Sequence, residues 1–285
     1  TDTVRMMIDR QNAKGGLLGR KLEPVVADPA SNPDAFRAAA EKMLADDRVA
    51  VVFGGWTSAS RRAMLPVFES RNGLLFYPVQ FEGQESSRNI FYTGSVPNQQ
   101  TIPALRYLAG KQGGGVKRWI LLGTDYVYPR TANAIVEAWL RGTGVVDEDI
   151  IIRYVPFAVA SWKEIVAVIR TFAAGGSKTA VLSTTNGDSN LGFYRELDLQ
   201  GVTAANVPVM AFSIGERELS RMEPELLAGH FSAWSYFSSV ASPANEAFIR
   251  SWRDYTEKKD EMPNDPMEAT MIGFRMWTNA VTQAG

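Results

Sequence analysis

Short apolar runs alternate with amphipathic stretches along most of this chain, and this alternation constrains the fold more than any other feature. The strand-sized runs lie at 22–27, 49–54, 74–78, 119–123, 150–155, 179–183 and 207–212. Helical patterns separate them at 34–45, 59–70, 99–110, 130–141, 162–174 and 190–200. Strands that alternate with helices are typical of βαβ units, in which neighbouring strands run parallel. The sequence therefore predicts an α/β fold with mainly parallel sheets.

Two breaks in this alternation predict two doubly wound lobes. A polar break at SVPNQQ, residues 95–100, precedes a fresh series of strand–helix pairs. A second candidate crossover at 229–239 is followed by mostly helical sequence, including 243–258 and 266–283. We therefore expect a discontinuous first lobe, 1–95 plus 238–285, and a second lobe, 96–237, with a ligand cleft between the lobes.

Composition excludes several classes of function. The 285 residues carry 30 basic and 31 acidic side chains, so we expect no nucleic-acid partner. The absence of cysteine and the single histidine, His230, exclude thiolate and histidine-cluster metal sites, and we expect neither a metal nor a cofactor. The phosphate-binding glycine motifs and the G-x-S-x-G nucleophile elbow are also missing. We therefore expect a protein that is not an enzyme.

Candidate site residues follow the predicted strands, because ligands of open α/β sheets bind beyond the carboxyl ends of the strands. Most of these side chains are aromatic or uncharged and polar. They are Trp56, Thr57, Ser58, Tyr77 and Val79 in the first lobe, and Tyr126, Tyr128, Asn186, Asp188, Ser213 and Glu216 in the second. Hydroxyls and amides can donate to a carbonyl oxygen and accept from N–H groups. The set therefore suits a small, neutral, planar, polar ligand such as an amide or urea.

Each of these segments also has a purely structural interpretation. In the GGWTSAS turn, Ser58 either faces a ligand or caps the helix that follows. In TTNGDSN, Asn186 and Asp188 either contact a ligand or form a turn and a helix cap. We expect the arginine pair at 61–62 on a solvated helix face, and the aromatic residues at 234 and 236 packed at the crossover. The PMEATMIGFRMW segment is typical of a core-facing helix.

Five long motifs give the chain a specific resemblance. They are GGWTSASRRAMLPVFE, NGLLFYPVQFEGQESSRNIFYTGSVPNQQ, GTDYVYPRTANAI, TTNGDSNLGFYREL and NDPMEATMIGF. Together they resemble the urea-binding proteins of bacterial urea ABC transporters. More distantly, the chain is similar to cytoplasmic amide sensors and to leucine/isoleucine/valine-binding proteins.

The resemblance implies a type I periplasmic binding protein fold, in which two α/β lobes joined by crossover strands close on the ligand. It also implies that the first strand and a C-terminal segment of this fold lie outside the sequence. The implied function is that of a periplasmic solute-binding protein. It would capture urea or a short amide by hinge closure and deliver it to an ABC transporter permease in the inner membrane. The alternative is a cytoplasmic amide-sensing regulator of the same fold.

Individual residues carry over from the resemblance. The tyrosine-x-serine turn of the amide sensors falls on Trp56 and Ser58, and their tyrosine before proline falls on Tyr77. Their paired tyrosines fall on Tyr126 and Tyr128. Tryptophan at 56 and valine at 79 depart from the sensor pattern and favour the urea-binding branch, whose members share the TNGDSN segment.

Overall fold

The computed structural model describes residues 1–257 and 261–285. Residue 258, the end of one predicted helix, lies outside the described residues. The chain divides into two compact units, a first unit of Thr1–Ser95 with Tyr236–Gly285 and a second unit of Val96–Ser235. Within the described ranges, no helix is long and apolar enough to cross a membrane.

The first unit is built on a small parallel sheet. Its strands, in the spatial order β1-β2-β3, are β1 (Val52–Phe53), β2 (Leu75–Tyr77) and β3 (Ile90–Tyr92). Its helices are α1 (Asp2–Ala13), α2 (Pro33–Ala45), α3 (Ser58–Ser70), α10 (Pro243–Thr256) and α11 (Asp265–Ala284). The rings of Phe53, Phe76 and Phe91 stack in succession across the three strands, with centroids 5.3 and 4.8 Å apart. Cross-strand aromatic contacts of this kind stabilise the pairing of short strands.

Helix α11 supplies part of the core of the first unit. The chain turns into this helix at Asp265 and Pro266, and proline is favoured at a helix start because its fixed φ suits the first turn. Ala269, Met271 and Phe274 are buried. The PMEATMIGFRMW segment thus buries an apolar stripe, as its pattern predicts.

The predicted strand at 22–27 does not form, which corrects the sequence prediction. The backbone of Leu22 bonds instead to the Asn12 side chain, donating to Oδ1 at 2.8 Å and accepting from Nδ2 at 2.9 Å. Val25 and Val26 are 46 and 48% exposed. Apolar content makes a segment strand-like, but a strand exists only where a neighbouring backbone pairs with it. For the same reason the predicted strand at 49–54 is reduced to Val52–Phe53.

The second unit contains a five-stranded parallel sheet in the order β5-β4-β6-β7-β8. Its strands are β4 (Arg118–Thr124), β5 (Ile150–Val155), β6 (Thr179–Thr184), β7 (Val209–Ala211) and β8 (Phe231–Ser232). The longer helices are α4 (Thr101–Ala109), α5 (Val127–Gly142), α6 (Lys163–Ala173) and α7 (Ser189–Leu199), and the short ones are α8 (Glu216–Leu219) and α9 (Pro224–Leu227). The predicted α/β class with parallel sheets is confirmed.

Alternate residues of the central strands pack into two separate cores. On one face, Ile120 of β4 joins a buried cluster with Val166 of α6 and Phe193 of α7. On the other face, Leu121 joins a cluster with Leu105 of α4 and Val136 of α5. Helices therefore cover both faces of the sheet, which explains why the middle residues of β4 and β6 are apolar without interruption.

The strand order places a topological switch point at β4. The chain leaves β4 for β5 on one side and then crosses to β6 on the other side of β4. Loops that leave a sheet in opposite directions open a crevice at the carboxyl ends of the strands, where ligands of such folds bind. The residues after β4, β6 and β7 are therefore the first place to look for a site.

Candidate functional site

Three predicted site residues meet at the carboxyl ends of β4, β6 and β7. Asn186 donates from Nδ2 to the Tyr126 hydroxyl at 2.7 Å. The Ser213 hydroxyl donates to Asn186 Oδ1 at 3.1 Å. Each side chain is partly buried. We refer to Tyr126, Asn186 and Ser213 as the strand-end cluster.

Two further aromatic rings lie close to the ring of Tyr126. The centroid of the Phe157 ring lies 5.0 Å from that of Tyr126, and the Tyr128 ring lies 6.2 Å away on a buried side chain. Phe157 was not among the predicted site residues, although it follows β5, so its position after a strand was a signal for it. The cluster therefore combines hydrogen-bonding groups with flat apolar surface, as small-molecule sites commonly do.

The loop that carries Asn186 is fixed by its own hydrogen bonds. Asn190, which is buried and was not predicted, accepts from the Thr185 hydroxyl at 2.7 Å and donates to the Gly187 carbonyl at 3.1 Å. Gly187 provides the bend with a φ of 66°, a conformation that glycine adopts without strain. The backbone N–H of Asn186 donates to Thr124 Oγ1 at 3.2 Å. Residue 186 is thereby held against the end of β4.

Asp188 and Glu216, which were also predicted to follow β6 and β7, lie at the starts of helices. Asp188 is exposed and precedes α7 without a capping hydrogen bond from its side chain. Glu216 begins α8 and is partly buried. Trp234 packs against Gly215, where an added Cβ would lie 3.0 Å from the indole ring. The Trp234 indole therefore lies against the loop between Ser213 and Glu216.

In the first unit, the GGWTSAS turn leads directly into α3. Trp56 is 52% exposed, whereas its carbonyl accepts a 2.8 Å hydrogen bond from the Tyr77 hydroxyl. The helix cap is Thr57, whose hydroxyl accepts from the Ser60 N–H at 3.1 Å. The cap thus lies one residue earlier than the capping interpretation of Ser58 required.

Ser58, Tyr77 and Val79 are all buried within the first unit. The Ser58 hydroxyl donates to Glu82 Oε2 at 2.6 Å and accepts from Arg61 at 3.0 Å. Burial raises the pKa of Tyr77, so its hydroxyl stays protonated and can donate. The contacts of Ser58 and Tyr77 are thus with their own unit.

Arg61 corrects another sequence prediction, because its side chain is buried rather than solvated. Its guanidinium bonds to Glu82 at 3.0 Å and to Glu85 at 2.8 Å, and the Tyr77 and Phe81 rings lie 4.8 and 4.7 Å from it. Burial is the largest single effect and opposes the charge of Arg61, but the hydrogen bond with Glu85 and the attraction of the neighbouring groups together outweigh it and raise the pKa of Arg61. The acidic residues in FEGQE were the overlooked signal, since a buried arginine requires such partners.

The neighbouring Arg62 is the solvated member of the pair. Its side chain is 43% exposed and still lies 2.8 Å from Glu82. Among the described residues, no group of three or more histidine, aspartate or glutamate side chains could hold a metal ion. The chemistry available at the strand-end cluster is therefore hydrogen bonding and aromatic packing by uncharged side chains.

A doubly wound parallel sheet with a hydrogen-bonding cluster at its switch point defines a class of protein that binds small molecules at strand ends. Residues 1–285 match the family described as "Periplasmic binding protein domain", and the chain belongs to that family.

Solved structures of low sequence identity share the fold. A Rhodopseudomonas palustris ABC transporter solute-binding protein in complex with 4-hydroxybenzoate has a TM-score of 0.82 at 21% identity, covering 98% of this chain and 75% of that one. An amino acid ABC transporter substrate-binding protein from Pseudomonas fluorescens Pf-5 has a TM-score of 0.82 at 16% identity, with coverages of 100 and 74%. The branched-chain amino acid transporter substrate-binding protein LivJ from Streptococcus pneumoniae, in complex with isoleucine, has a TM-score of 0.80 at 14% identity, with coverages of 99 and 78%. This likeness shows the fold, a type I periplasmic binding protein fold with parallel sheets.

Proposed function

We propose that this protein is a solute-binding protein that captures urea or a closely related short amide and delivers it to an ABC transporter permease. The strand-end cluster of Tyr126, Asn186 and Ser213 is the observation that carries the proposal. It offers hydroxyl and amide groups to a polar ligand, and Phe157 offers a flat surface beside them. Binding and release, without any bond-breaking step, would constitute the function.

The chemistry of the cluster favours a neutral ligand over a carboxylate. A buried carboxylate requires cationic or multiple N–H donors to replace its hydration, because an unpaired buried charge is very costly. An amide or urea instead requires one donor for its carbonyl oxygen and acceptors for its N–H groups. Three uncharged side chains that both donate and accept match the second requirement.

The family and the structural neighbours support the transport role. Several neighbours are solute-binding proteins of ABC transporters, and two of them were solved in complex with 4-hydroxybenzoate and with isoleucine. We accordingly place this protein in the periplasm, with a permease of the inner membrane as its partner. The long motifs that resemble urea-binding proteins supply the ligand class, and capture by hinge closure follows from the same resemblance.

A thermal-shift panel tests the ligand class, because a ligand that binds only the folded state raises its apparent stability. We expect millimolar urea, formamide or acetamide to raise the melting temperature. Equal concentrations of 4-hydroxybenzoate and isoleucine, the ligands of the neighbours, should leave it unchanged. A shift with either of these two ligands and none with the amides would reject the proposed ligand class.

A further inference from the structure

A groove on the first unit lies between α1, α10 and α11. Its volume is about 380 Å³, which is within the range of about 300–1,000 Å³ typical of small-molecule sites. Its floor is apolar and contains Met6, Phe248 and Met271, one from each helix, which belong to a buried cluster of the core. Methionine side chains adapt to irregular shapes, so this floor suits a flexible apolar chain. We refer to this feature as the three-helix groove.

Three cationic side chains form the rim of the three-helix groove. They are Arg10 and Lys14 of α1 and Arg275 of α11, and all three residues are exposed. None of the described residues that line the groove is acidic, and none of the described acidic residues forms an ion pair with these three side chains. Glu268, two turns before Arg275 on α11, experiences its charge but does not line the groove. The rim therefore presents net positive charge to a ligand.

Neutral hydroxyl groups of the groove, in contrast, have partners within their own helices. The Ser251 hydroxyl donates to the Ala247 carbonyl at 2.6 Å. The Thr278 hydroxyl donates to the Arg275 carbonyl at 3.1 Å. Each of these hydroxyls thus already uses its proton, and the charged rim supplies the strongest polar attraction that the groove offers.

We propose that the three-helix groove binds a small amphipathic anion, with its carboxylate at the cationic rim and its alkyl chain on the apolar floor. Arginine and lysine donate charge-assisted hydrogen bonds to a carboxylate, and arginine can bind it through two parallel bonds. Burial of the alkyl chain removes apolar surface from water, which supplies a second favourable contribution. This site goes beyond the proposed function, because its ligand is charged and its residues belong to the first unit alone.

The ligand class is tested by calorimetric titration with octanoate and with three compounds that each lack one of its features. Octanol lacks the charge, octylammonium reverses the charge, and acetate lacks the chain. We expect saturable binding of octanoate with one site per chain, and at least about tenfold weaker binding of each other compound. Absence of octanoate binding would overturn the proposal. Equal affinity for octanol or octylammonium would exclude a role of the rim, and equal affinity for acetate would exclude a role of the floor, so each result would also overturn it.

Variants test whether the three-helix groove is the place of binding. Arg275→Gln removes one charge from the rim, and we expect it to weaken octanoate at least about fivefold. Ala247→Phe places a large side chain in the groove from an exposed position of α10, and we expect it to abolish octanoate binding. The matched control is Arg250→Gln, which removes an exposed charge from α10 at a position that does not line the groove. Octanoate affinity should be unchanged in this control.

The outcomes separate this proposal from the proposed function. Losses in Arg275→Gln and Ala247→Phe, with an unchanged affinity in Arg250→Gln, support the three-helix groove as the site. Equal losses in Arg275→Gln and Arg250→Gln would show that net charge alone attracts octanoate, and would overturn the proposal. If Ala247→Phe does not fold by circular dichroism, the comparison of the two arginine variants decides. Titration with urea reports on the strand-end cluster independently, because these variants leave that cluster unaltered.

Discussion

The Ser58 hydroxyl donates a 2.6 Å hydrogen bond to Glu82, and both side chains are buried in the first unit. Arg61 completes this arrangement by bonding to both of them. From the sequence alone, Ser58 could either contact a ligand or cap the helix. In the structure it is part of a buried ionic cluster with Arg61 and Glu82. This cluster ties the start of α3 to the segment that follows β2.

The ionic cluster predicts that replacing two adjacent arginines lowers the free energy of unfolding by very different amounts. Arg61→Met leaves the buried carboxylate of Glu82 and the partly buried one of Glu85 without their main partner. Breaking a buried ion pair in this way typically costs about 3–5 kcal/mol. Arg62→Met removes a half-exposed partner of the same carboxylates and should cost about 1 kcal/mol or less. Thermal unfolding measures the stability of both variants, and it avoids the use of urea, the proposed ligand, as a denaturant. Equal losses in the two variants would contradict the assignment of Arg61 as the buried partner.

Close packing below the strand-end cluster predicts opposite effects of alanine at two glycines. A Cβ at Gly123 in β4 would lie 2.6 Å from Pro129 and 2.7 Å from Thr184 Oγ1, so Gly123→Ala should destabilise the protein by about 1–3 kcal/mol. Gly142 is the last residue of α5 and has open space around it. Gly142→Ala should therefore stabilise the protein, by up to about 1 kcal/mol. Melting temperatures of the two variants check the prediction, and a tolerated alanine at 123 would show that β4 and β6 pack less closely.

The burial of His230 predicts that the protein loses stability on mild acidification. Burial lowers its pKa to about 4, and its neutral ring accepts a 2.9 Å hydrogen bond from the Val209 N–H. The unfolded chain, with a histidine pKa of about 6.5, takes up a proton first as the pH falls. Stability from this group is therefore complete above pH 6.5 and is lost between pH 6.5 and about 4.

The variant His230→Asn keeps an acceptor for Val209 but does not titrate. We expect the melting temperature of the unaltered protein to fall more steeply than that of the variant between pH 7 and pH 4.5. Parallel pH profiles would show that His230 does not carry this effect.

The raised pKa of Glu268 predicts that pH affects stability in the opposite direction at this residue. Burial, with a further contribution from the charge of Asp265, raises the pKa of Glu268 to about 7. The unfolded chain loses this proton near pH 4.5, so the contribution of Glu268 to stability falls as the pH rises from 4.5 to 7. Glu268→Gln should match the unaltered protein at pH 4 and melt at a higher temperature at pH 8. The matched control is Glu246→Gln, an exposed change that should have little effect at either pH.

Local patterns were enough to predict most of the fold. β4 and β6 were predicted within one residue at each end, because a strand that is buried on both faces has an uninterrupted apolar middle. The helices around them were predicted from their periodicity alone. The predicted strand at 22–27 was wrong for a non-local reason. The composition of this segment suits a strand, but no strand of the described residues pairs with it.

The candidate site, like the fold, could be predicted only in part from local sequence. Position after a strand pointed to Tyr126, Asn186 and Ser213, whereas their mutual hydrogen bonds depend on the order of the strands in the sheet. The acidic partners of Ser58 and Arg61 lie 21 to 24 positions further along the chain. No helical period links such positions, so the burial of Arg61 could not be read from its own helix.

Isothermal titration calorimetry measures the proposed binding of urea without a reporter. We expect saturable binding of urea with one site per chain, and the same experiment with 4-hydroxybenzoate should give no binding heat. Tyr126→Phe should weaken the urea affinity by roughly tenfold, because it removes one of the three hydrogen-bonding groups of the strand-end cluster. Absence of binding heat with urea and with short amides, together with saturable binding of 4-hydroxybenzoate, would contradict the account.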